Sequence, residues 1–359
     1  MHPPVISRNR GFTLIEIMVA AVIGILAVLV IAQTWKVSES YKRTTTSGGD
    51  AEQNGLIGIV RISDDMRQAG YGLNNPAIMG CTVHAYNDTT GSTFTFSLAP
   101  LVITAAAAAN GNDSITVVYS NSSLVTSPAK LTQSMPSSAA TYKVDNRFGF
   151  SPGDLIVATE PGLDCTLAQV TSTPGTPGQS DNVIHNSGNY KDSNNNTHAA
   201  IYNKPGGLGI SYTTNGSLYN LGAAPTAITY AVTNGHLTVA SLLAGNTPVD
   251  AADGVVGLQA QYGKDTDGDG AVDTWDKTVP TTAAGWQQVV LARVGIVARS
   301  QLPERPSLIG GTYQCNTTTV LPTWSGGTFD LSGDANWKCY RYKTYEITVP
   351  LRNMIWRLS

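Results

Sequence analysis

Arg10-Gly11-Phe12-Thr13-Leu14-Ile15-Glu16 leads directly into an apolar run that extends from Ile17 to Ala32. The run is suited to a bilayer, yet Glu16 places a carboxylate near its start. A charge inside a bilayer costs roughly 2.5–3.5 kcal/mol even on the lenient insertion scale. The arrangement therefore indicates that this acid has a specific role.

The glycine of this stretch lies between a basic leader and the apolar run. An ordinary secretory signal has its basic residues before the apolar region and a small-residue cleavage site after it. Here Arg8 and Arg10 precede Gly11, and no such site follows Ala32. Cleavage after Gly11 would therefore leave the apolar segment on the mature chain as its new N-terminus.

These residues resemble the class III signal of type IV pilins and pseudopilins. The resemblance implies that a prepilin peptidase cuts between Gly11 and Phe12 and methylates the new amine of Phe12. It also implies that Glu16, the fifth mature residue, pairs with the N-terminal amine of a neighbouring subunit. Such a pair offsets the cost of burying each charge alone. The alternative is an uncleaved signal anchor in which Glu16 is incidental.

The apolar segment is long enough to cross a membrane. A helix from Phe12 to Ala32 would extend about 31 Å, which spans the hydrocarbon core. Arg8 and Arg10 predict a single pass through the bacterial inner membrane with a cytoplasmic N-terminus. The rest of the chain would then be exported, and its low charged fraction of 13% is typical of an exported β-rich protein. A net charge of −3 without a dense basic run gives no reason to expect nucleic-acid binding.

The four cysteines predict disulfides. They are too widely spaced for a zinc knuckle and form no C-x-x-C pair, and the predicted compartment is oxidising. Cys315–Cys339 is favoured because it closes a short local loop, which leaves Cys81–Cys165 by elimination. Free buried thiols are the alternative.

The sequence predicts an α+β fold in which a long N-terminal helix, spanning the membrane in its first half, packs on a large β-rich head. The helix is expected from about Thr13 to Ala69, bent or locally unwound at Gly48-Gly49 and stopped by Gly70-Tyr71-Gly72. The predicted organisation is a leader over 1–11, the helix over 12–70 with its membrane span over 12–32, and the head over 71–359. Beyond the membrane, the residues that follow helical spacing are Leu56, Ile59, Val60, Ser63, Met66 and Arg67.

β-Branched runs bounded by turn residues predict the strands of the head. Asn234-Gly235 is the strongest short-range signal for a tight hairpin. Thr171–Ala199 is rich in Pro, Gly, Asn and Ser and is expected to form a long surface loop or insertion. The predicted strands are Asp113–Tyr119, Leu155–Ala158, Ile228–Val232, His236–Ala240, Val255–Tyr262, Val289–Arg299 and Tyr340–Val349.

Residues 265–276 match the template of a Ca²⁺-binding loop at nearly every position. Calcium prefers six to eight hard oxygen ligands, and alternate aspartates direct their carboxylates into one concave turn. Position twelve is Asp instead of the Glu of the EF-hand pattern, and a strand precedes the loop. We therefore expect a structural Ca²⁺ site in an EF-hand-like loop, the alternative being a solvated acidic turn. The expected ligands are Asp265, Asp267, Asp269, the Ala271 carbonyl, Asp273 and Asp276, with Val272 anchoring the loop to the core.

The sequence shows no catalytic constellation, so a non-enzymatic protein is expected. No H-E-x-x-H, G-x-S-x-G or phosphate-binding glycine loop occurs. The histidines beyond the leader are isolated on loop-like sequence, namely His84, His185, His198 and His236. Four tryptophans could form a sugar-stacking surface, although core or interface packing is the preferred interpretation: Trp275, Trp286, Trp324 and Trp337.

Several segments beyond the N-terminus resemble the PilW family of minor type IV pilins, whereas the middle, from about Cys81 to Thr247, shows no resemblance. The resembling segments are Asp65–Tyr71, Leu258–Gly263, Val297–Ser300 with Pro303-Glu304 after it, and Tyr345–Met354.

This resemblance implies assembly and not catalysis. A PilW-like subunit joins other minor pilins in the inner membrane, primes polymerisation of the major pilin, and ends at or near the fibre tip, where a large adhesin can be presented. Twitching motility and adhesion would follow. The nearest alternative is a J-type minor pseudopilin of type II secretion, and another is a ligand- or glycan-binding module that uses the 171–199 loop and the tryptophans.

Overall fold

The computed structural model describes residues 12–73, 75–108, 111–122, 127–176 and 181–354. It has one long N-terminal helix and a large β-rich head, so the predicted α+β class is confirmed.

Helix α1 runs from Leu14 to Gln68. It ends where Gly70 takes a φ of +77°, a left-handed conformation that glycine adopts at little cost. The predicted stop is therefore confirmed. The helix continues through Gly48 and Gly49, so the local unwinding expected there is wrong. Two glycines that each cost about 1 kcal/mol relative to alanine do not break a helix of 55 residues.

The described part of the head contains one further short α-helix, α2 (Ala283–Gln287), three single-turn 3-10 helices and 23 strands. The strands in the first half of the chain are β1 (Thr82–Asn87), β2 (Ser92–Ser97), β3 (Leu101–Thr104), β4 (Ser114–Tyr119), β5 (Ala129–Lys130), β6 (Thr141–Val144), β7 (Leu155–Thr159), β8 (Cys165–Gln169), β9 (Asp181–Ile184), β10 (Gly188–Lys191) and β11 (Thr197–Ala200). The others are β12 (Ser217–Gly222), β13 (Thr226–Thr233), β14 (His236–Ser241), β15 (Pro248–Asp253), β16 (Val255–Lys264), β17 (Thr274–Asp276), β18 (Val289–Arg299), β19 (Ser307–Ile309), β20 (Thr312–Gln314), β21 (Thr323–Trp324), β22 (Gly327–Thr328) and β23 (Tyr342–Pro350).

Three sheets make up most of the head. A six-stranded sheet has the order β2-β1-β8-β7-β12-β5, a five-stranded sheet the order β15-β14-β13-β4-β3, and a four-stranded sheet the order β17-β16-β18-β23. The pairs are antiparallel except for β1 with β8. Every predicted strand is present, and the Asn234-Gly235 hairpin joins β13 to β14 with Thr233 opposite His236.

The six-stranded sheet lies between two separate hydrophobic cores. Along β7, Leu155 and Val157 belong to the larger core, and Ile156 and Ala158 belong to the smaller one. Successive side chains of a strand point to opposite faces, so β7 is buried on both. The head is therefore lobed around this sheet.

The second half of α1 packs on the four-stranded sheet through two glycines. A Cβ on Gly55 would lie 2.3 Å from Cε2 of Tyr345 on β23, and one on Gly58 would lie 3.3 Å from Cδ1 of Ile296 on β18. The larger core continues from the helix into the sheets through Ile62 and Met66, which have no exposed surface.

A half-buried carboxylate, Asp65, also fixes the helix to the five-stranded sheet. The hydroxyl of Tyr119 on β4 donates to Asp65 Oδ1 over 2.7 Å, and the hydroxyl of Tyr230 on β13 donates to Asp65 Oδ2. Burial is the main reason that the pKa of both tyrosines is raised, so both hydroxyls stay protonated and can donate.

Two disulfides are present, Cys81–Cys165 and Cys315–Cys339, which are the two pairs favoured from the sequence. The first joins the segment before β1 to the start of β8, and the second closes a local loop near the C-terminal part of the head.

The long loop expected over Thr171–Ala199 is wrong. Its described part contains β9, β10 and most of β11. β9 pairs with β6, forty residues earlier in the chain, and β10 pairs with β11. The polar composition of the whole segment concealed these short strands, although Val183 of β9 is fully buried in the smaller core.

Candidate functional site

Thr13 and Glu16 form the first turn of α1. Thr13 is the N-cap of α1, and its backbone N–H and its hydroxyl each donate to Glu16 Oε2 over 2.8 Å. A capping box of this kind satisfies orphan donors at the helix N-terminus. Phe12, just before the cap, is 85% exposed, and Gly11 lies outside the described residues.

The segment that follows is long and apolar and has no contact with the head. The most apolar 18-residue stretch of Leu14–Glu39 has a mean hydropathy of 3.0, and none of the residues of Leu14–Glu39 is buried. A helix of 26 residues extends about 39 Å, which exceeds the hydrocarbon core of a bilayer. A bare apolar helix of this length needs a membrane or other subunits around it.

Beyond the membrane-type segment, α1 exposes a further apolar stripe. Leu56, Ile57 and Val60 are 53%, 47% and 48% exposed, on the side opposite to Gly55 and Ile62. Of the residues predicted to follow helical spacing, Ile59, Ser63 and Met66 are buried, whereas Leu56, Val60 and Arg67 are exposed. Their helical period alone did not show that this half of α1 has two apolar sides.

The acidic loop brings three of its predicted ligands together. One carboxylate oxygen from each of Asp265, Asp267 and Asp269 lies within 4.8 Å of the other two. Gly268 and Gly270 have φ of +81° and +89°, and both donate their N–H groups to Asp265 at 2.7 and 2.9 Å. These bonds fold the loop around the Asp265 carboxylate.

The remaining predicted ligands have other hydrogen-bond partners or are exposed. Asp273 accepts from the N–H and hydroxyl of Thr266 at 2.6 and 2.7 Å, which lowers its pKa. Asp276 lies on β17 and accepts from Lys264 Nζ at 2.7 and 2.9 Å, so the structure does not bring it to the three clustered carboxylates. Ala271 is exposed, and Val272 is only half-buried and does not anchor the loop in the core as expected.

The fit of this loop to a cation depends on its donor set. Three carboxylates in one turn give hard, anionic oxygens of the type that Ca²⁺ prefers. The residues present are therefore compatible with calcium, and Asp265, Asp267 and Asp269 would hold the ion.

The histidines and tryptophans form no common site in the described residues. The expectation that the histidines lie on loops is wrong for three of them: His84 is on β1, His198 on β11 and His236 on β14, each beside an aspartate. Trp286 and Trp324 are buried, which favours core packing over a sugar-stacking surface.

A bare apolar helix, with one acid at its start, attached to a β-rich head is the arrangement expected of a membrane-anchored subunit. In agreement, residues 6–32 match the prokaryotic N-terminal methylation motif. Residues 229–353 match the family model of the type IV pilus-assembly protein W, PilW. The two matches confirm the resemblance seen in the sequence and support a minor pilin of a type IV pilus, a structural protein. No curated protein and no solved structure was found to match the chain.

Proposed function

We propose that this chain is part of the minor-pilin complex that primes assembly of a type IV pilus and lies at or near its tip, where it supports twitching motility and adhesion. The observation that carries the proposal is the bare apolar helix Leu14–Glu39 with Glu16 in its first turn. A prepilin peptidase would cut after Gly11. The helix would remain in the inner membrane, with its N-terminus in the cytoplasm, until assembly.

The position of Glu16 supports a role in subunit contact. Among the described residues it accepts hydrogen bonds from Thr13 only, and the surrounding side chains are apolar. In a bilayer or a fibre core this charge needs a partner, because removing it from water without one is strongly unfavourable. The N-terminal amine of Phe12 in a neighbouring subunit would supply the opposite charge, and either the other minor pilins or the major pilin could provide it.

The second half of α1 supports assembly in a different way. Leu56, Ile57 and Val60 extend the apolar surface of the helix past the membrane and alongside the head. Contact with the α1 helices of neighbouring subunits would cover this stripe. The large, lobed head is difficult to repeat along a thin fibre, which favours a terminal position and leaves room for a large adhesin beyond it.

The assembly role can be tested with Glu16→Ala and Glu16→Gln in the full chain, with Glu39→Gln at the other end of the span as the matched control. We expect both Glu16 variants to insert into the membrane normally and to be depleted from sheared fibres, whereas Glu39→Gln is incorporated. Normal incorporation of the Glu16 variants would contradict the pairing role. Loss of secretion with intact pili in a deletion strain would favour a type II secretion pseudopilin instead.

We also propose that the acidic loop binds Ca²⁺ as a structural ion. Support comes from the three clustered carboxylates and from the glycines that fold the chain around Asp265. Without a cation, three like charges this close repel one another. A bound ion would stabilise the loop between β16 and β17 and so the edge of the four-stranded sheet.

A further inference from the structure

A cleft of about 270 Å³ opens between the β13–β14 turn, the first half of β16 and residues 329–334. None of its lining residues belongs to α1 or to the acidic loop. Its volume is close to the lower end of the roughly 300–1,000 Å³ that small-ligand sites occupy. A ligand the size of one sugar ring would fit.

An ion pair forms one wall of the cleft. Arg299 Nη1 donates to Asp334 Oδ2 over 2.9 Å, and the guanidinium carbon lies 4.3 Å from the ring centroid of Tyr340. A guanidinium has five N–H donors in a fixed plane. The pair with Asp334 and the ring of Tyr340 hold that plane in place, so the donors that neither Asp334 nor Tyr342 uses lie at fixed positions along the wall.

A buried amide points to a missing partner. Gln259 lines the cleft and is 9% exposed, and its Oε1 accepts from Trp324 Nε1 at 3.2 Å. Its side-chain nitrogen has no acceptor among the residues that the structure describes. This nitrogen is therefore free to donate a hydrogen bond to a ligand oxygen in the cleft.

The rim of the cleft adds two more planar polar groups. Asp330 accepts from the N–H of Ser332 at 2.9 Å, and hydrogen bonding by Ser332 lowers its pKa, so it is ionised at neutral pH. Asn234 occupies the left-handed turn position, with a φ of 53°. Since Arg299 is already neutralised by Asp334, Asp330 leaves the cleft with a net negative charge, which disfavours carboxylate and phosphate ligands.

The floor of the cleft is apolar. Phe329 is almost fully buried beneath Gly257, where an added Cβ would lie 2.8 Å from the Phe329 ring. Val256 and Leu331 complete this apolar surface. The cleft therefore combines an apolar base with donors and acceptors around its edge.

We propose that this cleft binds a neutral hexose unit, either free or at the end of a glycan. Each sugar hydroxyl both donates and accepts hydrogen bonds, which matches the Arg299, Gln259, Asn234 and Asp330 side chains. The C–H face of the ring would lie on the apolar floor. This site differs from the tryptophan surface and the 171–199 segment considered from the sequence, and it does not depend on the assembly role.

The test uses the full chain in a sugar-free detergent, with neutral methyl hexosides in saturation-transfer NMR and neutral, sialylated and uronic-acid glycans on an array. We expect binding of at least one neutral hexoside with a Kd of about 1–10 mM. Free hexosides and array glycans separate the two sources of the ligand. The variants Asp330→Asn and Asn234→Gly should each weaken binding about tenfold or more. Asn234→Gly removes a hydrogen-bonding side chain, and Asp330→Asn removes the charge that strengthens a hydrogen bond.

The matched control is Asn246→Gly. Asn246 also has a positive φ, of 54°, but lies outside the cleft. Glycine adopts this conformation freely, so both Asn→Gly variants should fold, and only Asn234→Gly should lose binding. A preference for acidic glycans, no binding of any neutral hexoside, or equal binding by the Asn234→Gly, Asp330→Asn and parent proteins would overturn the proposal.

Discussion

The ring of Tyr345 lies over Gly55, and the Tyr345 hydroxyl donates to the carbonyl oxygen of Glu52 in the same turn of α1 at 2.9 Å. One aromatic side chain of β23 thus both covers the glycine and bonds to the helix backbone. This contact sets how closely α1 approaches the head.

Gly55→Ala should destabilise the head. Its Cβ would lie 2.3 Å from Cε2 of Tyr345, so the ring must move, and overpacking of this kind typically costs about 1–3 kcal/mol. Thermal unfolding of the full chain in detergent would show a lower Tm. Gly48→Ala is the control, because no atom lies within 4 Å of its added Cβ and the variant gains up to about 1 kcal/mol of helix propensity. Equal effects of the two substitutions would argue against the contact.

Asp65→Asn should weaken the attachment of α1 to the five-stranded sheet. Both carboxylate oxygens accept hydrogen bonds from tyrosine hydroxyls. In the asparagine variant an amide nitrogen replaces one of these oxygens, and it cannot accept the hydrogen bond from the tyrosine hydroxyl that faces it. A loss of about 1–3 kcal/mol in the free energy of unfolding is expected. Chemical denaturation measures it, with Asp64→Asn as the neighbouring exposed control. A stability for Asp65→Asn equal to that of Asp64→Asn would contradict the role given to this carboxylate.

Calcium should raise the Tm of the full chain, and Asp267→Asn with Asp269→Asn should abolish that increase. Each asparagine keeps the oxygen that accepts the local N–H bond, from Asp269 and Ala271 respectively, and removes only the charge. A ligand at ten times its Kd stabilises by about 1.4 kcal/mol, so the shift is measurable even for a weak site. Asp250→Asn serves as a control elsewhere on the surface. An unchanged Ca²⁺ shift in the double variant would remove the metal assignment.

The stability of the smaller core should fall with acidification. His185 stacks on Tyr142 with ring centroids 4.3 Å apart, and burial lowers its pKa to about 4. The unfolded chain protonates this ring near pH 6.5, whereas the folded chain does so only near pH 4. Above about pH 6.5, His185 therefore does not change the free energy of unfolding. As the pH falls to about 4, protonation of His185 in the unfolded chain lowers the free energy of unfolding by roughly 1–3 kcal/mol.

The measurement is chemical denaturation at pH 7, 6, 5 and 4 for the parent and for His185→Gln. The variant should show a flatter pH dependence over this range. His236→Gln, at a partly exposed histidine on β14, should leave the slope close to that of the parent, because exposed ion pairs contribute little to stability. Parallel pH profiles for the parent and His185→Gln would show that another group is responsible.

Local signals in the sequence predicted much of the fold. In the run Val289–Arg299, apolar and polar residues alternate little and β-branched residues are frequent. This run forms β18 with the predicted bounds. Asn234-Gly235 forms the predicted hairpin because both positions take positive φ, 53° and 81°. The processing signal and the acidic loop were also visible because their chemistry depends on close spacing in the chain.

Features that depend on distant partners were missed. β6 and β9 are only four residues long each, and they pair with each other although they lie forty residues apart in the chain. The buried side of α1 includes Gly55 and Gly58, which have no side chain to signal burial, and the rings and methyl groups that cover them come from β14, β18 and β23. The cleft at Arg299 likewise joins segments more than sixty residues apart in the chain.

The most direct test of the fibre-subunit account is mass spectrometry of the N-terminal peptide of this chain, recovered from membranes and from sheared fibres. Loss of eleven residues from 359 predicts a mature chain that begins with N-methylated Phe12 and retains the apolar helix. A chain that still begins at Met1, or one that starts beyond Ala32, would contradict the account.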